Sequence, residues 1–520
     1  MNNEQHQLHT IASRLAKLPD AKKRAFREAL EEKGINPWKL PVTPVDRTLS
    51  KAMPLSCAQK RLWLVDQSQQ GTKPYIITRD LQLDGMLDID ALRKSFVDIV
   101  HRQQSLRSCF NESSGKSAHV TIQNADQFSV DLLDLSQTNG DEQDGKLAQA
   151  LTQNRARYFD LSKDYMLRVL LVKLNQERHV LQVLMHHIAS DGASVPILIA
   201  EFGALYNAYA LSQASPLAEL SVQYPDYAYW QNEWLQSEDF EQKLEFWRDT
   251  LSNLPPADYL PMDNPRPDHK TFSGGEWISM LSVDISNRLT EYCQSHNATL
   301  FMGLHTTLSV LLARYSGEDD IVVGTPVANR EQANIGQQIG LFANLLVLRS
   351  KVSETSCFES MLQQSRAYLL SAYAHQNVPF ESIVETLQPD SDGLHSNLFQ
   401  IVLVLQNNKV ESAVTGLHNL ECKYLEHNIT LAKYDLRVQV SMRRGGLFLV
   451  WDYNLDLFKE STIKWLADSF NTLLCGMLEQ PKTSIHKVCA LSDKYKNQEA
   501  DYEPEGSIAN KPVAMMIGKS

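Results

Sequence analysis

Residues 179–192 read HVLQVLMHHIASDG, and the rest of the chain is interpreted outward from this stretch. His179 to Met185 is an apolar run rich in β-formers, which predicts a strand. Downstream, Ser194-Val195-Pro196 reads as an N-cap residue with a proline in the following turn. Ile197, Leu198, Phe202, Leu205, Tyr206 and Tyr209 then fall at helical spacing. His186 and His187 are therefore expected at the end of a strand, before a turn into a helix. Neighbouring side chains on a strand face opposite ways. One imidazole is thus expected to face a substrate channel while the other enters the fold, an arrangement that suits a general base better than a two-histidine metal site.

The 520 residues leave room for two or three domains, and 43% apolar with 22% charged residues is an ordinary globular balance. A net charge of −12 argues against a nucleic-acid partner, which would leave a basic footprint. No apolar run approaches the ~20 residues that span a bilayer, so no membrane association is expected. The start, Met1-Asn2-Asn3-Glu4-Gln5-His6, lacks the pattern of a secretory signal. Seven cysteines at 57, 109, 293, 357, 422, 475 and 489 never form Cys-x-x-Cys. Reduced thiols in a cytoplasm fit them better than a disulfide framework or a zinc knuckle.

Residues 1–50 read as a helical leader. Leu8, Ile11, Leu15 and Leu18 make an apolar stripe, Pro19-Asp20 recaps the chain, and a second helix runs to Gly34. A stripe this short cannot bury itself alone. The segment is either a hairpin packed on the main body or a docking element for a partner. From residue 54 to 223 strands and helices alternate, including a strand over 77–83 and a helix over 90–102. Tyr224-Pro225-Asp226-Tyr227 reads as a hinge into a second half, 224–490. That half has helices near 300–315, 358–373 and 461–477 and strands at 321–324, 399–405 and 447–453. Residues 491–520 turn polar and read as a tail or linker. Two α/β halves are the simplest architecture.

Ordered motifs sharpen this reading. Ser56-Cys57-Ala58-Gln59-Lys60-Arg61-Leu62-Trp63 resembles the opening core motif of condensation domains of nonribosomal peptide synthetases. His101-Arg102-Gln103-Gln104-Ser105-Leu106-Arg107-Ser108-Cys109-Phe110 is similar to their second motif, and His186-His187-x-x-x-Asp191-Gly192 to the third. Tyr224-Pro225-Asp226-Tyr227-Ala228-Tyr229-Trp230-Gln231 resembles the fourth. The fifth is matched by Ile339-Gly340-Leu341-Phe342-Ala343-Asn344 with Arg349, and the sixth by His375-Gln376-Asn377-Val378-Pro379-Phe380-Glu381. The last survives in part as His395-Ser396-Asn397-Leu398-Phe399-Gln400. The departures are Ala193, where the family usually has Trp, Cys57 in place of a more usual aromatic or apolar residue, and the weakened last motif.

The resemblance implies two chloramphenicol-acetyltransferase-like lobes in a V shape, with His187 on the floor of a tunnel between them. It implies that a donor acyl thioester and an acceptor aminoacyl thioester meet there, both on phosphopantetheine arms of carrier proteins. Adenylation domains or other synthetase modules would be further partners. No covalently bound cofactor and no metal is implied. His187 would take a proton from the attacking amine or hold the amine by a hydrogen bond. His186 would satisfy a buried hydrogen bond. Asp191 would form a structural ion pair with Arg330 of Gly324-Thr325-Pro326-Val327-Ala328-Asn329-Arg330. Gly192 permits a tight backbone, and its N–H is a candidate oxyanion donor. Asn344 lines the tunnel or is a plain loop asparagine. Arg61, Trp63, Tyr227 and Trp230 read as scaffold before substrate contacts.

Two other functions compete: a CoA-dependent acyltransferase of the related fold, and a non-catalytic platform that binds carriers. No adenylation-type phosphate loop and no carrier Gly-Gly-[His/Asp]-Ser is found, so both substrates are expected to arrive on other domains or chains. Leu491-Ser492-Asp493 resembles the start of a linker toward an adenylation domain.

Overall fold

The two-histidine strand, Arg178–His186, is the middle strand of a five-stranded sheet. The order is Leu420–Leu425, Ile76–Gly85, Arg178–His186, Leu167–Lys173, Asp131–Asp134. Central position explains its largely apolar run, interrupted only by Gln182, because both faces are covered and every residue from His179 to His186 is buried. Leu181, Val183 and Met185 face the helices Ile89–Arg102 and Ser194–Ala210, where Phe96 stacks on Phe202 at 4.9 Å. Val180 and Leu184 face the opposite way, into separate clusters with Leu151 and with Phe159. The computed structural model describes residues 3–45, 52–69, 75–112, 118–257, 259–267, 271–332, 334–388, 398–406, 416–425, 431–443 and 445–488. The 491–520 segment and His395-Ser396-Asn397 of the last motif lie outside them.

A second, six-stranded sheet is built wholly from the later residues. Its order is Asn344–Lys351, Asp320–Val327, Ile401–Gln406, Leu436–Arg443, Gly446–Asn454, Gly274–Leu281. Behind it lies the helix Leu300–Ser316, buried continuously from Phe301 to Leu312. A helix this apolar on all sides belongs inside a core. Mixed sheets carrying helices make this the α/β class expected. One strand crosses the division at residue 223. Leu420–Leu425 adds itself antiparallel to Ile76–Gly85 of the first sheet. Gly85 makes that close approach possible: its φ is +124°, and a Cβ there would lie 2.2 Å from the Asn419 carbonyl oxygen.

The expected hinge at Tyr224 is instead the start of the helix Tyr224–Trp234. Gln223 N–H donates to Asp226 Oδ2 at 2.7 Å and Pro225 sits in the first turn. Proline there is compatible with a helix because the first-turn N–H groups have no intrahelical partner. The chain therefore passes between the halves through an ordered, buried helix.

The leader forms helices Asn3–Ala16 and Asp20–Glu31. Ala12, Leu15, Leu30 and Leu40 bury one another, with Leu8, Ile11 and Phe26 packed around them. Leu8, Ile11 and Leu15 of the stripe thus pack in the leader's own small core. That core is fixed to the second half. Trp38 meets Trp230 edge to face at 6.5 Å, Arg27 Nη2 donates to Glu233 Oε2 at 2.6 Å, and Asn36 Nδ2 donates to Asp239 Oδ1 at 2.8 Å. Trp38→Ala should therefore lower unfolding stability by about 3–5 kcal/mol, as for other buried large-to-small changes. Denaturant titration checks this; a loss under ~1 kcal/mol would mean the leader is only loosely attached.

Candidate active site

The strand ends at His186 and the chain tightens at once into a 3₁₀ turn, His187–Ala189. The two imidazoles therefore differ by more than strand alternation, the expectation from sequence. His186 is fully buried against Phe159, 5.7 Å between ring centres, and its Nδ1 accepts from Ile188 N–H at 3.2 Å. That acceptor role puts any ring proton on Nε2. Burial, then the charges of Lys433 and Arg168, push its pKa down to about 3. His187 is half-buried, and its Nδ1 lies 3.3 Å from the Ser190 carbonyl oxygen. A carbonyl only accepts, so this bond requires the proton on Nδ1 and leaves Nε2 as a lone-pair acceptor. Burial foremost, and then Lys433, hold the His187 pKa well below the ordinary imidazole value. The pair presents opposite tautomers.

Asp191, four residues on, is buried and has both oxygens occupied. Oδ1 accepts from Arg330 Nη2 at 3.1 Å, Ser194 N–H at 2.8 Å and Ser194 Oγ at 2.7 Å. Oδ2 accepts from Phe342 N–H at 3.0 Å and Ala343 N–H at 3.1 Å. Asp191 rather than Ser194 thus caps the helix Ser194–Ala210, while Ala193 in the cap position makes no side-chain bond. The reason is reach: Ser194 is already inside the first turn, and its hydroxyl is used between Asp191 and Gly340. Arg330 also donates to the carbonyls of Ile335 and Gln338 at 3.2 and 2.7 Å and lies over the Phe342 ring. Asp191 and Ser194 belong to the first half, and Arg330, Phe342 and Ala343 to the second.

Gly192 is exposed, its φ is not left-handed, and a Cβ there would meet nothing within 4 Å. Gly192 sits in a tight turn closed by Ser194 N–H donating to the Asp191 carbonyl at 3.1 Å, one that needs no left-handed φ, and it leaves open space in front of the turn. Asn344 begins a strand rather than a loop. Its amide is fully used, donating to the Gln376 and Val378 carbonyls at 2.7 and 2.6 Å and accepting from Phe380 N–H at 3.0 Å. Arg61 ion-pairs across the halves with Glu381 at 3.0 Å. Trp63 packs on the cluster containing Leu184 and Ile188, directly under the histidine turn. Tyr227 stacks on Trp230 at 5.7 Å and meets Phe342 at a tilt at 4.8 Å.

Three residues were not singled out from sequence. Gln59 Nε2 donates to the Ile188 carbonyl at 3.1 Å, holding the 3₁₀ turn from the helix Cys57–Gln69. It stood inside the opening motif, so the signal existed. Tyr75 meets His187 edge to face at 6.5 Å, and Lys433 stands over Tyr75 at 4.8 Å. No periodicity links positions so far apart in the chain. Among the described residues no group of three His, Cys, Asp or Glu gathers as a metal site. No helix among them is long and apolar enough to cross a membrane. Arg330→Met should cost about 3–5 kcal/mol of stability, because a buried carboxylate loses its cation. Thermal or denaturant unfolding tests this; a near-neutral result would mean that Ser194 and the two backbone N–H groups suffice.

Comparison with known proteins places this geometry. A family model described as Condensation domain matches residues 50–498. The chain is 35% identical over 458 residues to a protein of the linear gramicidin synthase of Brevibacillus parabrevis, covering 88% of this chain and 6% of that protein. It is 34% identical over 444 residues to malpinin synthetase of Mortierella alpina, covering 85% and 6%. It therefore spans a small fraction of the length of these curated relatives. Among solved structures, the X-domain in complex with OxyB from teicoplanin biosynthesis aligns with a TM-score of 0.77 at 26% identity, over 86% of this chain and 97% of that one. The first condensation domain of the calcium-dependent antibiotic synthetase, with a substrate analogue, aligns at 0.67 and 18% identity, over 84% and 99%. With its ordered motifs and a family match across most of its length, the chain belongs to the condensation-domain family of nonribosomal peptide synthetases.

Proposed function

We propose that the chain joins a donor acyl or peptidyl thioester to the α-amine of an acceptor aminoacyl thioester, each delivered on the phosphopantetheine arm of a carrier protein. The observation that carries this reading is the His187 imidazole, kept neutral and with Nε2 as the acceptor. The acceptor nitrogen attacks the donor carbonyl carbon; the N–C bond forms, the C–S bond breaks, and the thiolate leaves with the donor arm. His187 Nε2 accepts the proton shed by the amine and returns it to the thiolate, or holds the amine in line by a hydrogen bond. A free α-amine has a pKa of roughly 7.7–8.0, so a neutral fraction is present near pH 7. The thioester already carries the activation, and positioning is worth up to ~7–11 kcal/mol in favourable cases. The open space at Gly192 leaves its N–H a candidate donor to the oxyanion.

Relatives are named as synthetases many times longer than this chain, which supports carrier proteins and adenylation domains as its partners. The six described cysteines are free thiols, in keeping with a reaction in the cytoplasm. A second reading has one observation in its favour: the X-domain, solved in complex with OxyB, is closely similar in fold. On that reading the chain is a platform that recruits another protein. The intact His187 turn favours catalysis.

The test loads acyl and aminoacyl groups on separate carrier proteins and follows transfer by mass spectrometry. Wild-type protein should form the amide. His187→Ala should lose about 10²–10⁴-fold in rate, the usual worth of general-base help, while circular dichroism remains native. An undiminished rate would remove His187 from the mechanism. Transfer from acyl-CoA alone would favour the CoA-dependent alternative, and no transfer from either donor the platform.

A further inference from the structure

Tyr75 immediately precedes the strand Ile76–Gly85, whose first residue pairs antiparallel with His186. One residue further along both chains sets Tyr75 opposite His187, and the two rings meet there edge to face, 6.5 Å between centres and 83° between planes. The phenol ring is held by contacts that leave its hydroxyl aside. It packs on the cluster of Leu62, Phe159, Leu184 and Ile188, and Lys433 Nζ of the second half lies 4.8 Å from its centre. The hydroxyl itself bonds none of the described residues. A buried tyrosine usually finds a partner for its O–H, as Tyr224 does at the Leu341 carbonyl, 2.7 Å away. Phenylalanine at position 75 would make the same ring contacts; what tyrosine adds is a hydrogen-bond donor beside His187 with no protein acceptor. We infer that this hydroxyl is an oxyanion donor of the reaction: with the Gly192 N–H, it bonds the carbonyl oxygen of the donor thioester as negative charge gathers there. This role presupposes that amide formation takes place at the His187 turn.

An amine that gives its proton to His187 Nε2 must stand within about 2.6–3.2 Å of that atom. The carbonyl carbon it attacks is one bond further, so the reacting oxygen belongs in the space that His187 shares with Tyr75. As the N–C bond forms, the electron pair of the C=O π bond moves onto oxygen. The phenol hydrogen-bonds that oxygen and keeps its own proton. When the tetrahedral intermediate collapses, the C=O bond is restored, the C–S bond breaks and the thiolate leaves, while the proton of the amine passes through His187. The charged groups nearby have the sign an oxyanion needs. Arg61 from the helix Cys57–Gln69 and Lys433 both act on His187 as cations, and Glu381 is engaged by Arg61 at 3.0 Å. Tyr434, next in sequence to Lys433, has its pKa raised by burial and adds no negative charge. A donor whose ring is fixed before the substrate arrives needs no reorganisation at the moment of reaction.

The experiment compares the full chain with its Tyr75→Phe variant, which keeps the ring and removes only the oxygen. Each is given a carrier-bound aminoacyl acceptor and either of two carrier-bound donors: the ordinary thioester, or the dithioester in which sulfur replaces the carbonyl oxygen. Tyr75→Phe should keep the wild-type unfolding temperature and the KM for the donor carrier, because the bond to Tyr75 strengthens only as charge develops. Its kcat with the ordinary thioester should fall about 10²–10³-fold, the usual worth of one oxyanion donor. Sulfur accepts hydrogen bonds poorly, so the preference of the wild type for the oxygen donor should shrink by a similar factor in Tyr75→Phe, a change that altered packing would not produce. An undiminished kcat in Tyr75→Phe overturns the proposal. So does a slowed variant with the wild-type preference for oxygen over sulfur, which would leave Tyr75 acting only on the orientation of His187. A wild-type protein that forms no amide from either donor would overturn the condensation function itself and this role with it. A wild-type rate in His187→Ala would remove the base alone, and a slowed Tyr75→Phe with a reduced oxygen preference would still support the oxyanion donor.

Discussion

The carboxylate of Asp191 is the point on which the two halves and the histidine turn jointly depend. It is buried, and an unsatisfied buried carboxylate is too costly to keep. Its partners come from three separate places: the first turn of the helix Ser194–Ala210, the guanidinium of Arg330, and the backbone of Phe342 and Ala343. Satisfying one residue thus brings a loop of the second half against the strand end of the first. Ser194 Oγ strengthens the junction by accepting from Gly340 N–H at 3.1 Å, with the Gly340 carbonyl also 3.1 Å away. The fit leaves no room for a side chain at Gly340, where a Cβ would lie 2.1 Å from the Tyr224 ring. The Tyr224 hydroxyl in turn bonds the Leu341 carbonyl at 2.7 Å.

That junction makes chemical sense of two adjacent histidines with different fates. His186 is locked by Ile188 N–H into a buried tautomer and is too poorly solvated to take up a proton near neutrality. The Ser190 hydroxyl donates to the His186 carbonyl at 2.9 Å, while the Ser190 carbonyl faces the ring of His187. A single serine therefore braces both residues of the turn. Gln59 holds its middle, at Ile188, from another helix. The half-buried imidazole is oriented by bonds that need no substrate, so little rearrangement is required when an amine arrives.

Much of this was legible from local pattern. The central strand could be read because its run is apolar on both faces apart from Gln182, as burial on both faces favours. The helices Leu300–Ser316 and Glu460–Glu479 lie close to their expected bounds for the same reason, strong apolar content over several turns. Tyr224-Pro225 misled: a proline beside aromatics resembles a linker, yet proline in a first helical turn is compatible with both roles. The leader misled in another way. Its stripe looks unpartnered in a short segment, and only folding reveals that Phe26, Leu30 and Leu40 cover it.

By itself the sequence determined the alternation of strands and helices, the family, and the residue types at the turn, since these depend on neighbours within one strand or helical repeat. Tertiary structure decided what each of those residues does. The strand Leu420–Leu425 joins a sheet whose other strands come from the first 190 residues, a pairing that no local period encodes. Asn344 became a strand-end tie because the carbonyls of Gln376 and Val378 happen to converge on it. Lys433 came to stand over the Tyr75 ring in the same way. Hydrogen bonds and charges act across space over a few ångströms, and residues hundreds of positions apart come within that range only when the chain has folded.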